Sequence, residues 1–371
     1  MKKIIINGAN GFVASNFIYE LINQDYEVVA LVRGNSNEHA KQRMLNSLKN
    51  LNNGNHINIK KLTVYNYSLL DKNLSILTKH LTNIFNGEAD YSHFAASLKY
   101  SEKTKDEIFK TNINGVENSI DVFQRYANER SRFFYISTAY SCGRTNEKFE
   151  ERFYENQDIS VFRNYYEQSK RFAENIIYKH IKTDGLNAYV LRPSQVVGNN
   201  ITGVTKTGFG IFDFTKRVCN LAVRYPNERV KIKVKPDSTQ NLMPVNTVTC
   251  YLMSFVETQN MARVINLVSK RPVKNSEIID YINETLPINI IPCKQLAKNS
   301  MTSLERLIDI GMSFTGEYSN VNLVFDTTNL DKTMPIKVDE ITQDSLRKML
   351  GYFIGGNLLN KKVNQNAQCT V

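Results

Sequence analysis

Tyr166-Glu-Gln-Ser-Lys170 is the stretch whose residue types and spacing are suited to chemistry. On a helix, residues i and i+4 share a face, so the phenol and the ammonium converge on one ligand. An unperturbed tyrosine titrates near ~10. A lysine cation in a partly desolvated cleft lowers that value and makes the phenol an acid or base at neutral pH. The lysine is also suited to hydrogen-bonding a ribose. Ser137 and Thr138 end an apolar run, Thr138 lying 28 residues before Tyr166. They are either strand-end caps or hydroxyls that polarise a carbonyl. A second Tyr-x-x-x-Lys, Tyr178 and Lys182, reads as coincidence, because Tyr166 is the copy that follows the hydroxyl pair.

These side chains need a partner ligand, and the N-terminus supplies a place for one. Ile4, Ile5 and Ile6 read as a buried parallel strand, and Gly8-Ala-Asn-Gly11-Phe-Val-Ala14 follows at once. Gly8 permits the sharp exit from the strand, and Gly11 lets the backbone approach a pyrophosphate. A helical pattern through Phe12, Phe17, Ile18, Leu21 and Ile22 then offers free N–H groups and a dipole to the phosphates. Gly8, Asn10, Gly11, Phe12 and Val13 are therefore candidate cofactor-binding residues of a strand–turn–helix–strand dinucleotide unit. Its second strand, Val28 to Val32, ends in Arg33, with no carboxylate before Glu38. A guanidinium suits a 2′-phosphate where Asp or Glu would suit a 2′-hydroxyl, which predicts NADP(H). Arg43 is either a second phosphate contact or a solvated helix residue. Ala95 and Ala96, after Asp90-Tyr-Ser-His93, leave room for a ligand to lie flat across a strand end. His93 itself reads as a core histidine.

The elements that position these residues alternate. Strands are expected at 57–64, 132–136 and 188–191, and helices at 34–56, 69–81, 108–126 and 165–181. Such alternation argues for an α/β fold, a Rossmann-type doubly wound parallel sheet with its ligand across the carboxyl ends of the strands. The 371 residues suffice for that domain and a smaller one. The expected division is 1–203 with 241–270 as the nucleotide-binding domain, 204–240 with 271–356 as a substrate-binding cap, and 357–371 as a loose polar tail.

Lys and Arg number 47 against 36 Asp and Glu, a net charge of +11. This is either a solvated basic surface or attraction to an anionic partner, with Lys206, Lys216, Arg217 and Arg224 as the cap residues concerned. No basic run is interleaved with aromatics, so nucleic acid is not expected. No apolar run approaches the ~20 residues of a membrane span. Five scattered cysteines without Cys-x-x-Cys read as reduced thiols, and the scattered histidines suggest no metal site. The expected location is cytoplasmic.

The chain resembles the extended short-chain dehydrogenases/reductases, and within them the thioester-reductase and fatty-acyl-CoA-reductase branch of male-sterility-type NAD-binding proteins. Gly8-Ala-Asn-Gly11-Phe, Leu31-Val-Arg-Gly34, His93-Phe-Ala-Ala-Ser97, Asn112-Ile-Asn-Gly115 and Ile136-Ser-Thr-Ala-Tyr140 carry the resemblance. So do Tyr166-Glu-Gln-Ser-Lys170 with Ala173-Glu174, Leu191-Arg-Pro-Ser194, Val197 to Gly203, and Asn241-Leu-Met-Pro-Val245. The resemblance implies that Thr138 polarises the substrate carbonyl, Tyr166 donates the proton and Lys170 tunes it, with Ser137 as neighbour and substitute. It also implies that Pro193, Ser194 and Val196 line the nicotinamide. Three departures concern other positions: Ser68, with Asp71 nearby, replaces an adenine-binding Asp; Asn246 replaces an Asp after Pro-Val; and the strand before His93 looks one residue short.

The implied activity is NADPH-dependent reduction of an acyl thioester, on coenzyme A or an acyl-carrier protein, to aldehyde or alcohol. The alternative is another activity of the same superfamily: ketone reduction, or epimerisation or dehydration of a nucleotide sugar. A non-enzymatic NADP sensor would not need Thr138, Tyr166 and Lys170.

Overall fold

The computed structural model describes residues 2–24, 26–34, 38–51, 57–311, 315–334, 338 and 340–368. They form two compact units. The first comprises Met1–Ser194, Val248–Val268 and Phe325–Lys337; the second comprises Gln195–Thr247, Ser269–Val324 and Val338–Val371.

The first unit is built on strands β1 (Lys2–Asn7), β2 (Tyr26–Val32), β3 (Leu62–Asn66), β4 (Ala89–His93), β5 (Phe133–Ile136) and β6 (Ala188–Pro193). With Val264–Leu267 they make a seven-stranded sheet in the order Val264–Leu267, β6, β5, β4, β1, β2, β3, and every pairing is parallel. Ile4, Ile5 and Ile6 are fully buried, as a strand covered on both faces requires. Each such side chain contributes roughly 1.5–3 kcal/mol on burial. Helices α1 (Phe12–Asn23), α2 (Ala40–Leu51), α3 (Thr78–Ile84), α4 (Lys105–Phe109), α5 (Gly115–Tyr126) and α6 (Tyr165–Thr183) cover the faces. The chain reverses its winding between β1 and β4, and ligands of such sheets bind at that crevice.

Some elements differ from the sequence reading. β3 begins at Leu62, and 52–56 lie outside the described residues. The 69–81 stretch is a short 3₁₀ turn, Lys72–Ser75, followed by α3. The long helix at 108–126 is interrupted by a π turn at Lys110–Asn114, which brings Asn112 inward. β4 pairs with β1 over all five of its residues, so the strand before His93 is long enough.

In the second unit, Ile211–Arg224 buries Phe212, Val218, Cys219 and Leu221 against Leu346, Met349, Leu350 and Ile354 of Gln343–Gln368. A parallel pair, Arg229–Lys233 with Asn289–Cys293, closes this core. The units depart from the expected division in two places. Gln195–Val197 pairs with Leu242–Pro244, so both belong to the second unit. Phe325 bridges Phe149, and Asn329 donates to the Val264 and Glu151 carbonyls, so Phe325–Lys337 belongs to the first. Instead of a loose tail from 357, the last helix continues to Gln368.

Candidate active site

The β1–α1 turn is shaped by backbone limits. Gly8 has φ +60°, and a Cβ there would lie 2.8 Å from the Ala95 nitrogen. Gly11 donates its N–H to the Gly8 carbonyl at 2.9 Å and starts α1. Neither a capping side chain nor an acidic residue occupies the first turn of α1. An anion can therefore meet the helix N-terminus without competition. Asn10, Phe12 and Val13 are half-buried around this turn, and the Asn10 carbonyl accepts from Ser47 of α2 at 3.2 Å. Ala95 and Ala96 lie opposite, half-buried, beyond the end of β4.

Two residues beneath the turn escape a reading of the sequence. Asn7 is fully buried; its Oδ1 accepts from the Phe94 and Ala95 N–H groups at 2.8 and 3.0 Å. Its Nδ2 reaches the Tyr91 hydroxyl at 3.1 Å and His93 Nδ1 at 2.9 Å. The only hint is a polar residue ending an apolar strand. Tyr67 accepts from the Gly8 N–H at 3.1 Å, and burial pushes its phenol up to about 12. His93 sits in the core: Nε2 donates to the Ala95 carbonyl at 3.0 Å, and burial pulls its pKa down to about 3.

At the β2 end Arg33 is exposed. Arg43 turns onto the Arg33 backbone carbonyl, and the Gly34 N–H donates to Asn66 Oδ1 at 2.8 Å. Gly34, His39, Ala40, Lys41, Val64 and Asn66 line an open pocket of about 480 Å³ here. Ser68 and Asp71 lie past β3. The Asp71 carboxylate is exposed, accepts from Ser75 Oγ at 2.7 Å, and is held low by hydroxyls of Ser75 and Ser68.

α6 presents Tyr166 and Lys170. Asn164 caps the helix by accepting from the Glu167 N–H at 3.0 Å. Asn112 of the π turn donates to Ser169 Oγ at 2.9 Å. Lys170 is 2% exposed; its ammonium donates to the Ile136 carbonyl at 2.8 Å, just before Ser137 and Thr138. It lies 4.7 Å from the Tyr135 ring centroid and 6.0 Å from that of Tyr166. Burial pulls Lys170 down to about 7, opposed by Glu174 one turn along. Lys170 is not what sets the Tyr166 phenol: burial first and Glu167 second push it above its ordinary range. The expectation of a lowered phenol is thus reversed, because burial disfavours the phenolate and Glu167 adds to that. A phenol raised in this way stays protonated at neutral pH.

Thr138 Oγ1 accepts from the Tyr140 N–H at 3.2 Å, as a strand-end cap, and donates to the Pro193 carbonyl at the longer distance of 3.4 Å. Ser137 is the substitute that the resemblance implies, but its hydroxyl donates to Glu174 Oε1 at 2.5 Å. Ser194 is buried at the end of β6, and its Oγ has no hydrogen-bond partner. Val196 lies in the second unit, on Gln195–Val197. There Asn246 pairs with Asn200, donating to its Oδ1 at 2.6 Å. Tyr178 is 38% exposed on α6 and stacks on Phe153. Among the described residues no cluster of His, Cys, Asp or Glu could hold a metal, and no helix is long and apolar enough to cross a membrane.

The male sterility protein family model, an NAD-binding domain, matches residues 6–251. A nonribosomal peptide synthetase, asaC, from Aspergillus flavus is 24% identical over 74% of this chain; the chain spans 27% of that protein's length. The terminal R domain of the myxalamid polyketide–nonribosomal peptide pathway superposes with TM-score 0.79 at 16% identity, covering 96% of this chain and 92% of that one. A thiolation-reductase di-domain from an archaeal nonribosomal peptide synthetase gives TM-score 0.75 at 16% identity, over 96% of this chain and 76% of that one. The NAD-bound UDP-glucuronic acid 4-epimerase of Bacillus cereus gives 0.66 at 14% identity, over 95% and 96%. The chain belongs to the male sterility protein family, an NAD-binding branch of the extended short-chain dehydrogenases/reductases.

Proposed function

We propose that the protein reduces an acyl thioester, carried on a pantetheine arm of coenzyme A or of a carrier protein, with NADPH as reductant. The observation that carries this reading is the anchoring of Lys170 on the Ile136 carbonyl, which puts the Tyr166–Lys170 face of α6 at the strand end bearing Thr138. When bound, NADPH supplies the hydride that converts the thioester to an aldehyde and a free thiol. The β1–α1 turn suits its pyrophosphate, because the α1 N-terminus carries no capping side chain and no acidic residue in its first turn. Ala95, Ala96, Pro193 and Ser194 of the first unit are the further cofactor-lining candidates, Ser194 with a free buried hydroxyl. Thr138 and Tyr166 direct hydroxyls to the carbonyl oxygen as it gains charge, and Tyr166, protonated at neutral pH, gives up the proton. Lys170 holds the ribose.

The choice of a thioester is supported by similarity to a nonribosomal peptide synthetase and to a thiolation-reductase di-domain. The test follows NADPH loss and thiol release together, with acyl-coenzyme A, acyl-pantetheine and acyl-carrier substrates beside ketones and UDP-sugars. Thiol release with an acyl thioester is expected. Turnover of a ketone or nucleotide sugar with no thiol released from any thioester overturns the reading.

NADPH preference rests on Arg33. Charge-assisted hydrogen bonds are worth ~1.5–3 kcal/mol, and the exposure of Arg33 favours the lower end. Arg33→Ala should weaken NADPH binding roughly tenfold and leave NADH nearly unchanged, as read by fluorescence titration. Equal affinity of the unmodified protein for both nucleotides contradicts this. Arg43 is committed to the Arg33 carbonyl, so its replacement should act through the shape of that loop.

A carrier protein is anionic, and screening should show it. In the second unit Arg217 is paired with Asp213 and Lys206 lies over Tyr352, whereas Lys216 and Arg224 are exposed. Exposed charges are screened beyond about 8 Å at physiological salt. Raising ionic strength should therefore raise KM for a carrier-bound substrate more than for a pantetheine thioester. Equal shifts would argue against carrier recognition by these cations.

A further inference from the structure

Glu174 is 1% exposed, and each of its oxygens is engaged. Oε1 accepts from Ser137 Oγ at 2.5 Å, Ser141 Oγ at 3.2 Å and Arg192 Nε at 3.0 Å. Oε2 accepts from Arg192 Nη2 at 2.6 Å. Arg192 is fully buried and passes the link on, donating to the Glu150 and Arg152 carbonyls at 3.2 and 2.9 Å. Each arm ends beside a site residue. Ser137 precedes Thr138. Arg192 precedes Pro193, whose carbonyl accepts from Thr138. Glu174 itself stands one helical turn after Lys170, on the same face.

We propose that Glu174 is a positioning residue for the Thr138, Tyr166 and Lys170 site: it ties Ser137 to Arg192 so that Thr138 keeps its place, and supplies the counter-charge to the Lys170 ammonium. The inference rests on the reductase reading above. A carboxylate used only to neutralise Arg192 would not need a serine from the catalytic strand end. Neutralisation alone would also not place that carboxylate one turn from a buried ammonium.

The groups facing Lys170 are few. Tyr135 comes from β5, His93, which is neutral, from β4, and Tyr166 and Glu174 from α6. Those acting on Glu174 are Arg192 from β6, Arg171 from its own helix and the Ser137 hydroxyl. Removing the Glu174 charge therefore leaves burial unopposed at Lys170, and the ammonium loses its proton at lower pH. A neighbouring opposite charge typically shifts a titration by about one unit or more.

The test compares the unmodified protein with Glu174→Gln, with Glu174→Asp, and with a Glu174→Gln/Arg192→Met pair. The pair leaves no unpaired buried guanidinium and so serves where the single change does not fold. The alkaline limb of kcat should move down by about one pH unit in Glu174→Gln and in the pair, and only part way in Glu174→Asp. Carbon-13 labelled lysine in the nucleotide-free protein, assigned with Lys170→Met, should show the same displacement of the Lys170 titration. Loss of kcat at all pH values, with the limb and the lysine titration unmoved, would show a structural ion pair only and overturn the proposal. If the unmodified protein reduces no thioester, the reductase reading fails, while the lysine titration still decides the role of Glu174.

Discussion

Tyr166→Phe should lower kcat for thioester reduction by about 10²–10⁴, with NADPH binding within a few-fold of the unmodified protein. The change removes one oxygen and keeps the ring, whose centroid lies 6.0 Å from the Lys170 ammonium. Lys170 keeps its bond to the Ile136 carbonyl, and the α6 cap through Asn164 is untouched. What is lost is the proton donor. Burial holds the phenol above its ordinary range, so it is protonated throughout the neutral range, and the variant should be slow across all of it. Tyr178→Phe is the control. That side chain is 38% exposed and stacked on Phe153, on a part of α6 away from the β5 end, and its replacement should leave kcat unchanged. A slow Tyr178→Phe beside a fully active Tyr166→Phe would falsify the assignment.

The strand–turn–helix at the N-terminus was legible because its requirements are local. A strand of isoleucines, two glycines and an amphipathic helix each have their own period or backbone signature, and Gly8 does adopt positive φ. The place of Arg33, directly after the second strand, was legible for the same reason. The contacts made by Asn7, Tyr67 and Asn112 were not legible. Asn7 bonds to residues 84 to 88 positions away, and Tyr67 reaches Gly8 across 59. No spacing rule encodes such pairs. Asn112 faces inward only because a π turn interrupts the helix, and the periodicity of 108–126 does not show that turn. Glu174 was visible only as part of a resemblance, since 137, 174 and 192 share no period. The direction of the Tyr166 shift was misread because residue types give the sign of a neighbouring charge but not the cost of burial. The compact units differ from the expected division at 195–203 and 241–247 through one non-local strand pair, and at 325–337 through contacts with Phe149, Glu151 and Val264.

Gly8→Ala should abolish measurable NADPH binding, a loss of more than about a hundredfold, and should also destabilise the first unit. Two costs add at this position. An L residue at φ +60° costs roughly 1–2 kcal/mol. The added Cβ would lie 2.8 Å from the Ala95 nitrogen and 2.9 Å from its Cα, and backbone cannot swing away as a side-chain end can. Ala95 is held by Asn7 Oδ1, which also holds Phe94, so any retreat disturbs the ends of both β1 and β4. A melting temperature lower by on the order of 5 °C follows for a unit of this size. Gly11→Ala separates the two effects. Gly11 has φ −68°, and its added Cβ would meet only the Gly8 carbonyl oxygen, at 3.1 Å. That variant should melt close to the unmodified protein yet still bind NADPH at least tenfold more weakly, because the methyl occupies the approach of the phosphates to the α1 N-terminus. Calorimetry and fluorescence titration on the same samples distinguish the cases. Unimpaired NADPH binding by Gly8→Ala would move the nucleotide site away from the β1–α1 turn, and with it the case for Arg33 as the 2′-phosphate contact.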